Sequence, residues 1–305
     1  MQLILIGGAQ RSGTTLLQTL LANALDTPIL PEAHILCDML ASYKRAKEAP
    51  KKTRFYYRSD ADLLSYFQFC ANRHIADLVD RLGAHVLVLK DPNFVQFDGE
   101  AHAVFPNAVR IACLRDPRDI AASFLRIGQR EPQERQVGKY RRRDIHFIGK
   151  KILDSYSSLM QRFEVPSVHL VRYEEVVAKP RETLEALACE TGLKLSLARI
   201  DSPVWLDAEA RHESPWISEL EGQKPSAASV GAYKMVLRPR EIALVEHICA
   251  PLMAWAGYER SIPELIPHEA SIFLVQRSQI DIRVLETMCP NQRFRRIKRC
   301  NQLLP

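Results

Sequence analysis

Short, continuously apolar stretches alternate along the chain with longer segments in which apolar residues recur every three to four positions. The continuous stretches cover residues 3–6, 86–89, 109–114 and 168–171. Such runs are typical of strands buried on both faces of a parallel sheet, whereas the longer period is typical of amphipathic helices. Their alternation predicts an α/β protein with three layers, α/β/α, around a central parallel sheet.

The periodic segments predict a series of helices and one domain boundary. One helix should start at Pro117, and others are expected over residues 14–25, 35–47, 60–82, 138–163, 180–192 and 240–256. The periodicity weakens from about residue 261 onward. We therefore interpret residues 1–260 as one domain, and residues 261–305, with their basic run 293–299, as a C-terminal helical extension or tail.

Charge and composition narrow the class of ligand. The 305 residues carry a formal net charge of +6, which favours anionic ligands such as nucleotides, phosphates and sulfates. The seven scattered cysteines and nine histidines lack the spacing of a zinc site, so neither a metal nor a disulfide framework is expected. The apolar N-terminus runs directly into Gly7 and Gly8, and no apolar run reaches the length of a membrane span. This pattern predicts a cytoplasmic protein.

The first predicted strand is followed by a loop that is suited to bind phosphate. Residues 8–15 read Gly-Ala-Gln-Arg-Ser-Gly-Thr-Thr, and backbone N–H groups of such a loop, with a helix N-terminus behind them, can surround an anion. The spacing is similar to the nucleotide-triphosphatase motif G-x-x-x-x-G-K-[ST]. Thr14 occupies the lysine position, however, and the available cation is Arg11, which counts against phosphoryl transfer from ATP. A plain glycine turn between a strand and a helix is the alternative.

A second candidate phosphate-binding segment follows the third predicted strand. Arg115 lies where that strand ends, so its guanidinium can make two hydrogen bonds to a phosphate. Ser123 lies two turns into the following helix, on the face that is directed back toward the strand end. Together these residues can bind a phosphate that is separate from the one at the loop. A local ion pair between Arg115 and Asp119 is the alternative.

These segments resemble the motifs of sulfotransferases that use 3′-phosphoadenosine 5′-phosphosulfate (PAPS). Residues 11–15 resemble the 5′-phosphosulfate loop of that family, [KR]-S-G-T-T, and residues 115–123 resemble its 3′-phosphate motif, R-[DN]-P-[RK]-D-x-x-x-S. Weaker similarities follow at residues 170–176 and 229–234. The resemblance covers roughly residues 1–258.

The resemblance implies a fold, a co-substrate and a set of binding residues. The fold would be the sulfotransferase variant of the P-loop-containing nucleotide-hydrolase fold. PAPS would be the co-substrate, and 3′-phosphoadenosine 5′-phosphate (PAP) the product. The residues expected to bind the 5′-phosphosulfate are Arg11, Ser12, Gly13, Thr14 and Thr15, those for the 3′-phosphate are Arg115 and Ser123, and Tyr173 and Lys234 are less direct contacts.

In-line transfer of a sulfuryl group needs cations near the leaving oxygen. Arg11 and Lys90 are the candidates, although Lys90 could merely pair with Asp91. Many soluble sulfotransferases carry a Lys-x-His pair at the strand end that Lys90 occupies. Residues 90–93 read Lys-Asp-Pro-Asn instead, so the histidine that usually serves as the base is missing.

The acceptor hydroxyl also needs a general base. Tyrosylprotein sulfotransferases and some carbohydrate sulfotransferases use a glutamate, and the tyrosylprotein branch is the closest local resemblance. That resemblance implies Glu32 as the base. His34 is the second candidate and Asp91 the third. The mechanism requires no divalent metal.

The acceptor is left open between a carbohydrate, a natural product and a peptide tyrosine. Its pocket is expected from residues 34–75, 126–150 and 200–230. The basic run 139–143 could attract an acidic acceptor or form a solvated helix face. The alternative functions are a kinase or ATPase and a non-catalytic PAP-binding protein. Nucleic acid is not expected as a partner because the basic segments lack interleaved aromatic residues.

Overall fold

The computed structural model describes residues 1–130, 138–161, 168–200 and 225–261. Most of the predicted acceptor segment 200–230 lies outside the described residues, and so does the predicted tail from residue 262 onward with its basic run. The domain boundary near residue 260 therefore stays a prediction, since residues 262–305 lie outside the described residues.

Within the described residues, four parallel strands form one sheet, as the sequence predicts. They are β1 (Gln2–Gly8), β2 (Val86–Lys90), β3 (Val109–Leu114) and β4 (Val168–Arg172), and their order in the sheet is β2-β1-β3-β4. The register places Ile6 beside Lys90 on one side and beside Ile111 on the other. The carboxyl ends of the strands meet at one edge, which is where ligands bind in sheets of this kind.

Helices connect the strands and follow them. The described helices are α1 (Thr14–Leu25), α2 (His34–Glu48), α3 (Pro50–Thr53), α4 (Asp60–Leu82), α5 (Asp98–Val104), α6 (Pro117–Arg130), α7 (Gly138–Arg141), α8 (Ile145–Met160), α9 (Tyr173–Ala178), α10 (Pro180–Thr191), α11 (Tyr233–Val236), α12 (Pro239–Ile248) and α13 (Ala250–Ala256). No helix among these is long and apolar enough to cross a bilayer.

The helices cover both faces of the sheet and complete the three predicted layers. On one face, α1 and α10 pack against Ile6 and Ile111. On the other, α6, α8, α12 and α13 pack against Ala112 and Leu114, while α2, α4 and α5 pack near Leu5. Successive strand residues point to opposite faces, and both faces are buried under helices. A ligand is therefore directed to the carboxyl edge of the sheet.

The single helix predicted over residues 138–163 is wrong, because the chain forms α7 and α8 with a turn between them. Arg143 adopts a left-handed conformation in that turn, with φ of 57°, which a continuous helix cannot accommodate. Its guanidinium is held by Glu241, with Nη2 and Oε2 2.5 Å apart. Asp144 then caps α8, since its Oδ1 accepts a hydrogen bond from Phe147 N at 2.9 Å.

The helix predicted over residues 240–256 is also divided, into α12 and α13. The break falls at Cys249, which has φ of −90° and ψ of 10°. Pro251 follows two residues later and lies in the first turn of α13. Because proline has no N–H and its ring clashes with the preceding turn, it ends one helix and suits the start of the next.

Candidate active site

The phosphate loop leaves β1 and enters α1 through a close contact with Tyr173. Gly13 is the residue that precedes α1 and has φ of 96°, a conformation that favours glycine. A Cβ at Gly13 would overlap Cδ2 of the Tyr173 ring. The side chain of Ser12 is completely buried, and its Oγ has no hydrogen-bond partner among the described residues. This hydroxyl lies inside the loop, close to Gly8 and to the side chain of Tyr156.

The start of the loop is held by α8. The hydroxyl of Tyr156 accepts a hydrogen bond from Ala9 N at 2.9 Å and donates one to the carbonyl of Cys113 at 2.7 Å. Tyr156 is fully buried, and burial raises the pKa of Tyr156 well above its ordinary value, so the hydroxyl keeps its proton. The sequence does not predict this contact, because nothing in a helical pattern distinguishes Tyr156 from other core aromatics.

The two predicted phosphate-binding segments meet in space. Arg11 Nε donates a hydrogen bond to Ser123 Oγ at 3.1 Å. Arg115 Nη1 donates to the carbonyl oxygen of Arg11 at 2.9 Å, and Nη2 donates to that of Ser229 at 2.8 Å. The buried Nε of Arg115 has no hydrogen-bond partner in the described part of the chain. The two segments thus form one polar site, although 112 residues separate Arg11 from Ser123.

A late loop around Ser229 lies against this site and is fixed by Asp119. The Asp119 carboxylate accepts hydrogen bonds from Gly231 N at 2.8 Å and from Tyr233 N at 2.9 Å. Burial raises the pKa of Asp119, and these two backbone bonds oppose that effect. Arg115 and Asp119 therefore each hydrogen-bond to backbone groups, in place of the ion pair that was the alternative role for Arg115. The sequence marks Asp119 by its position four residues after Arg115, but it does not predict the contacts of Asp119 with Gly231 and Tyr233.

Tyr173 and Lys234, the two less direct contacts, occupy different environments. The guanidinium of Arg115 lies over the Tyr173 ring at 4.3 Å from its centroid, which is cation–π geometry. The Tyr173 hydroxyl is 2.6 Å from Ser229 Oγ. Tyr173 is therefore built into the site, whereas Lys234 is exposed on α11.

A second polar group lies beyond β2 and contains every candidate base. Lys90 Nζ is 2.8 Å from Glu32 Oε1, so Lys90 pairs with Glu32 and not with Asp91. His34 lies between the two acids, Asp91 and Glu32. Its Nδ1 is 2.9 Å from Asp91 Oδ2, and its Nε2 is 3.4 Å from Glu32 Oε2. Lys90 and Asp91 are buried, while His34 is exposed and Glu32 is intermediate. We name Glu32, His34, Lys90 and Asp91 the acid–base cluster.

The segment that carries Glu32 is fixed along β2 by hydrogen bonds. Gln18, on α1, donates to the carbonyl oxygens of Leu30 at 2.9 Å and Val88 at 3.2 Å. Ala33 N donates to the carbonyl oxygen of Lys90 at 2.9 Å. Glu32 precedes α2 and is not part of its first turn, so its carboxylate is positioned by these bonds and by Lys90.

The acid–base cluster could also be considered as a metal site. Glu32, His34 and Asp91 present ligand atoms that all lie within 4.8 Å of one another. The ammonium of Lys90 already neutralises the Glu32 carboxylate, however, and a cation next to it would be repelled. Three contacts hold the cluster together: Lys90 pairs with Glu32, and His34 lies against both Glu32 and Asp91.

The chain matches the model of the sulfotransferase family over residues 3–196. The chain belongs to this family. The match spans β1 to the end of α10, and so includes the phosphate loop, the acid–base cluster and the Arg115 segment. Membership supports an enzyme that transfers a sulfuryl group over the kinase or ATPase and over the non-catalytic PAP-binding protein.

One solved sulfotransferase structure supports the fold, and a second is more weakly similar. The sulfotransferase domain from the curacin biosynthetic pathway aligns with a TM-score of 0.54 and 19% sequence identity, and the alignment covers 85% of this chain and 98% of that one. The sulfotransferase domain of the Synechococcus PCC 7002 olefin synthase aligns with a TM-score of 0.48 and 17% identity, covering 80% and 93% of the two chains. No curated protein sequence matches the chain.

Proposed function

We propose that this sulfotransferase uses PAPS as its donor and transfers the sulfuryl group to an acceptor hydroxyl. The observation that carries the proposal is the hydrogen bond between Arg11 and Ser123. It joins the segment that resembles a 5′-phosphosulfate loop to the segment that resembles a 3′-phosphate motif. A donor with phosphate groups at both the 5′ and 3′ positions suits two such segments in contact.

The donor-binding residues offer distinct groups to the two ends of PAPS. At the loop, Ser12 Oγ and the backbone N–H groups of Thr14 and Thr15 would bind the 5′-phosphosulfate, since the first N–H groups of a helix have no acceptor within it. At the second segment, Arg115 and Ser123 would bind the 3′-phosphate. The buried Nε of Arg115, which lacks a hydrogen-bond partner among the described residues, is one donor available for it.

The transfer step would follow from the pairing of Glu32 with Lys90. The acceptor oxygen forms a bond to sulfur while the bond from sulfur to the bridging phosphate oxygen breaks, and that oxygen keeps the electron pair as PAP leaves. Glu32 takes the proton of the acceptor hydroxyl, and Lys90 and Arg11 stabilise the charge on the leaving oxygen. His34 lies against the second oxygen of Glu32 and remains the alternative base, and no metal enters these steps.

The donor site can be tested by measuring PAP binding by calorimetry in the wild type and in Arg115→Ala. Losing a charge-assisted phosphate contact costs about 1.5–3 kcal/mol, or about ten- to a hundredfold in affinity. AMP serves as the matched ligand because it lacks the 3′-phosphate. We expect Arg115→Ala to weaken PAP binding toward that of AMP and to leave AMP binding nearly unchanged.

Two controls separate a ligand contact from general damage. Arg73→Ala removes an exposed arginine that pairs with Asp77 and should leave PAP affinity unchanged. Thermal unfolding should show that Arg115→Ala remains folded, since Arg115 also contacts backbone. Equal loss of PAP and AMP binding would make Arg115 a purely structural residue, and preferential binding of ATP over PAP would contradict the choice of donor.

The base can be tested with Glu32→Gln in a PAPS-dependent assay against a panel of hydroxyl acceptors. Removing a general base should lower kcat by about 10²–10⁴-fold, while the affinity for PAP stays at its wild-type value. His34→Asn is the matched variant for the alternative base. A large loss in His34→Asn combined with near-normal turnover in Glu32→Gln would transfer the role to His34.

A further inference from the structure

A cavity opens beside the phosphate loop on the side of the strand ends that carry the acid–base cluster. Its volume is about 370 Å³, which is within the range of small-molecule sites. Gly8 and Gln10 of the loop, Asn93 and Gln96 after β2, and α8 form its walls. The cavity is thus bounded both by the predicted phosphosulfate loop and by the segment that directly follows Lys90 and Asp91. Gln10 directly precedes Arg11, and Pro92 directly follows Asp91, so the lining adjoins both groups of residues along the chain.

The wall that α8 contributes carries a cation without a carboxylate partner. Lys151 lines the cavity, and its Nζ donates a hydrogen bond to the Tyr140 hydroxyl at 2.9 Å. The ammonium also lies 5.3 Å from the centroid of the Phe124 ring. No carboxylate lies within 4.0 Å of it in the part of the chain that the structure describes. Burial lowers the pKa of Lys151, because the site favours the uncharged amine in the absence of an anion.

Lys150, which precedes Lys151 on α8, differs from it because its ammonium has a carboxylate partner. Lys150 also lines the cavity, but its ammonium is 2.7 Å from Asp154 Oδ2, and both side chains are more than half exposed. The charges of Lys150 and Asp154 cancel, which leaves Lys151 as the cation of that wall with no carboxylate partner among the described residues. A single uncompensated ammonium matches a monoanion such as a carboxylate.

The loop residue Gln10 adds a hydrogen-bond acceptor to the lining of the cavity. The side-chain oxygen of Gln10 is buried and has no hydrogen-bond partner among the described residues. Buried amide oxygens are nearly always satisfied in folded proteins, so this atom is suited to accept a hydrogen bond from a bound molecule. The lining of the cavity therefore includes a cation from α8 and a hydrogen-bond acceptor from the phosphate loop.

We propose that this cavity binds the acceptor, that the acceptor is a small alcohol or phenol carrying a carboxylate, and that Lys151 binds the carboxylate. The proposal rests on the proposed function, because it takes the reacting hydroxyl to lie at the loop end of the cavity. Gln10 would accept a hydrogen bond from the acceptor near that end. Lys151 then selects acceptors by charge and takes no part in the transfer step.

The test uses the complex of the full chain with PAP, so that binding is measured without the reaction. The ligands are matched pairs that differ only in charge: 4-hydroxyphenylacetate with 4-hydroxyphenylacetamide, and 3-hydroxyhexanoate with 3-hydroxyhexanamide. Wild type should bind at least one carboxylate about ten- to a hundredfold more tightly than its amide, the size expected for one charge-assisted contact. Lys151→Met should abolish that difference, and Lys150→Met should retain it.

The melting temperature and the PAP affinity of Lys151→Met show why this variant would lose the preference for a carboxylate. Lys151→Met removes a partly buried ammonium, so its melting temperature should equal or exceed that of the wild type, whereas a large fall would make Lys151 a structural residue and overturn the proposal. If Lys151→Met weakens PAP itself, Lys151 binds the donor and the proposal is wrong. It is also wrong if no carboxylate binds the PAP complex more tightly than its amide, or if the preference persists in Lys151→Met. If PAP does not bind the wild type, the proposed function fails instead.

Discussion

At the scale of single residues, Gly13 shows how closely the donor site is packed. Its positive φ and its contact with the Tyr173 ring both exclude a side chain, and the ring cannot withdraw easily because Arg115 lies on its face at 4.3 Å. We expect Gly13→Ala to lower the free energy of unfolding by at least about 2 kcal/mol, from the left-handed backbone and from overpacking. Chemical denaturation measures this, and calorimetry should show weaker PAP binding.

Gly83 provides the matched control for that substitution. It also has positive φ, 60°, but a Cβ there would meet no atom within 4 Å. Gly83→Ala should therefore cost only the backbone term, about 1 kcal/mol, and leave PAP affinity unchanged. Equal losses of stability in the two variants would show that the Tyr173 contact contributes nothing to stability. Unchanged PAP binding in Gly13→Ala would show that this contact does not contribute to donor binding.

At the scale of elements, the sequence pattern predicts the strands and the periodic helices but not the breaks within helical segments. The strands and most helices were located correctly because continuous and periodic apolar runs report burial directly. The turn between α7 and α8 was missed because the side chain that stabilises it, Glu241, lies 98 residues away from Arg143. The break before α13 could have been found, since Pro251 is a local signal that ends a helix.

The same distinction applies to the candidate site. The site residues in loops at strand ends could be predicted from the sequence, because ligands bind at the carboxyl edge of a parallel sheet. The ion-pair partner of Lys90 could not be predicted. Asp91 is adjacent to Lys90 in sequence, whereas the partner in the structure, Glu32, is 58 residues away along the chain. The contact of Tyr156 with the loop spans 147 residues and has no counterpart in the sequence pattern. Identities of site residues were therefore predictable, whereas their pairings required the fold.

At the scale of the whole molecule, one buried arginine connects the Arg115 segment to the last helices. Arg118 is 2.7 Å from Asp116 Oδ2 and 2.7 Å from Glu246 Oε1 on α12, and all three side chains are nearly inaccessible. Glu246 also accepts hydrogen bonds from the backbone N and the hydroxyl of Ser261, at 2.8 and 2.6 Å. The end of the described chain is thereby attached to the turn that follows Arg115.

We expect Arg118→Met to be among the most destabilising single substitutions in the chain. It leaves the carboxylates of Asp116 and Glu246 buried without their shared cation, and breaking a buried ion pair in this way costs about 3–5 kcal/mol. Arg73→Met makes the same change at an exposed pair with Asp77 and should cost less than about 1 kcal/mol. Urea denaturation of both variants measures the difference. A cost for Arg118→Met as small as that for Arg73→Met would mean that apolar packing alone attaches α12 to the Arg115 segment.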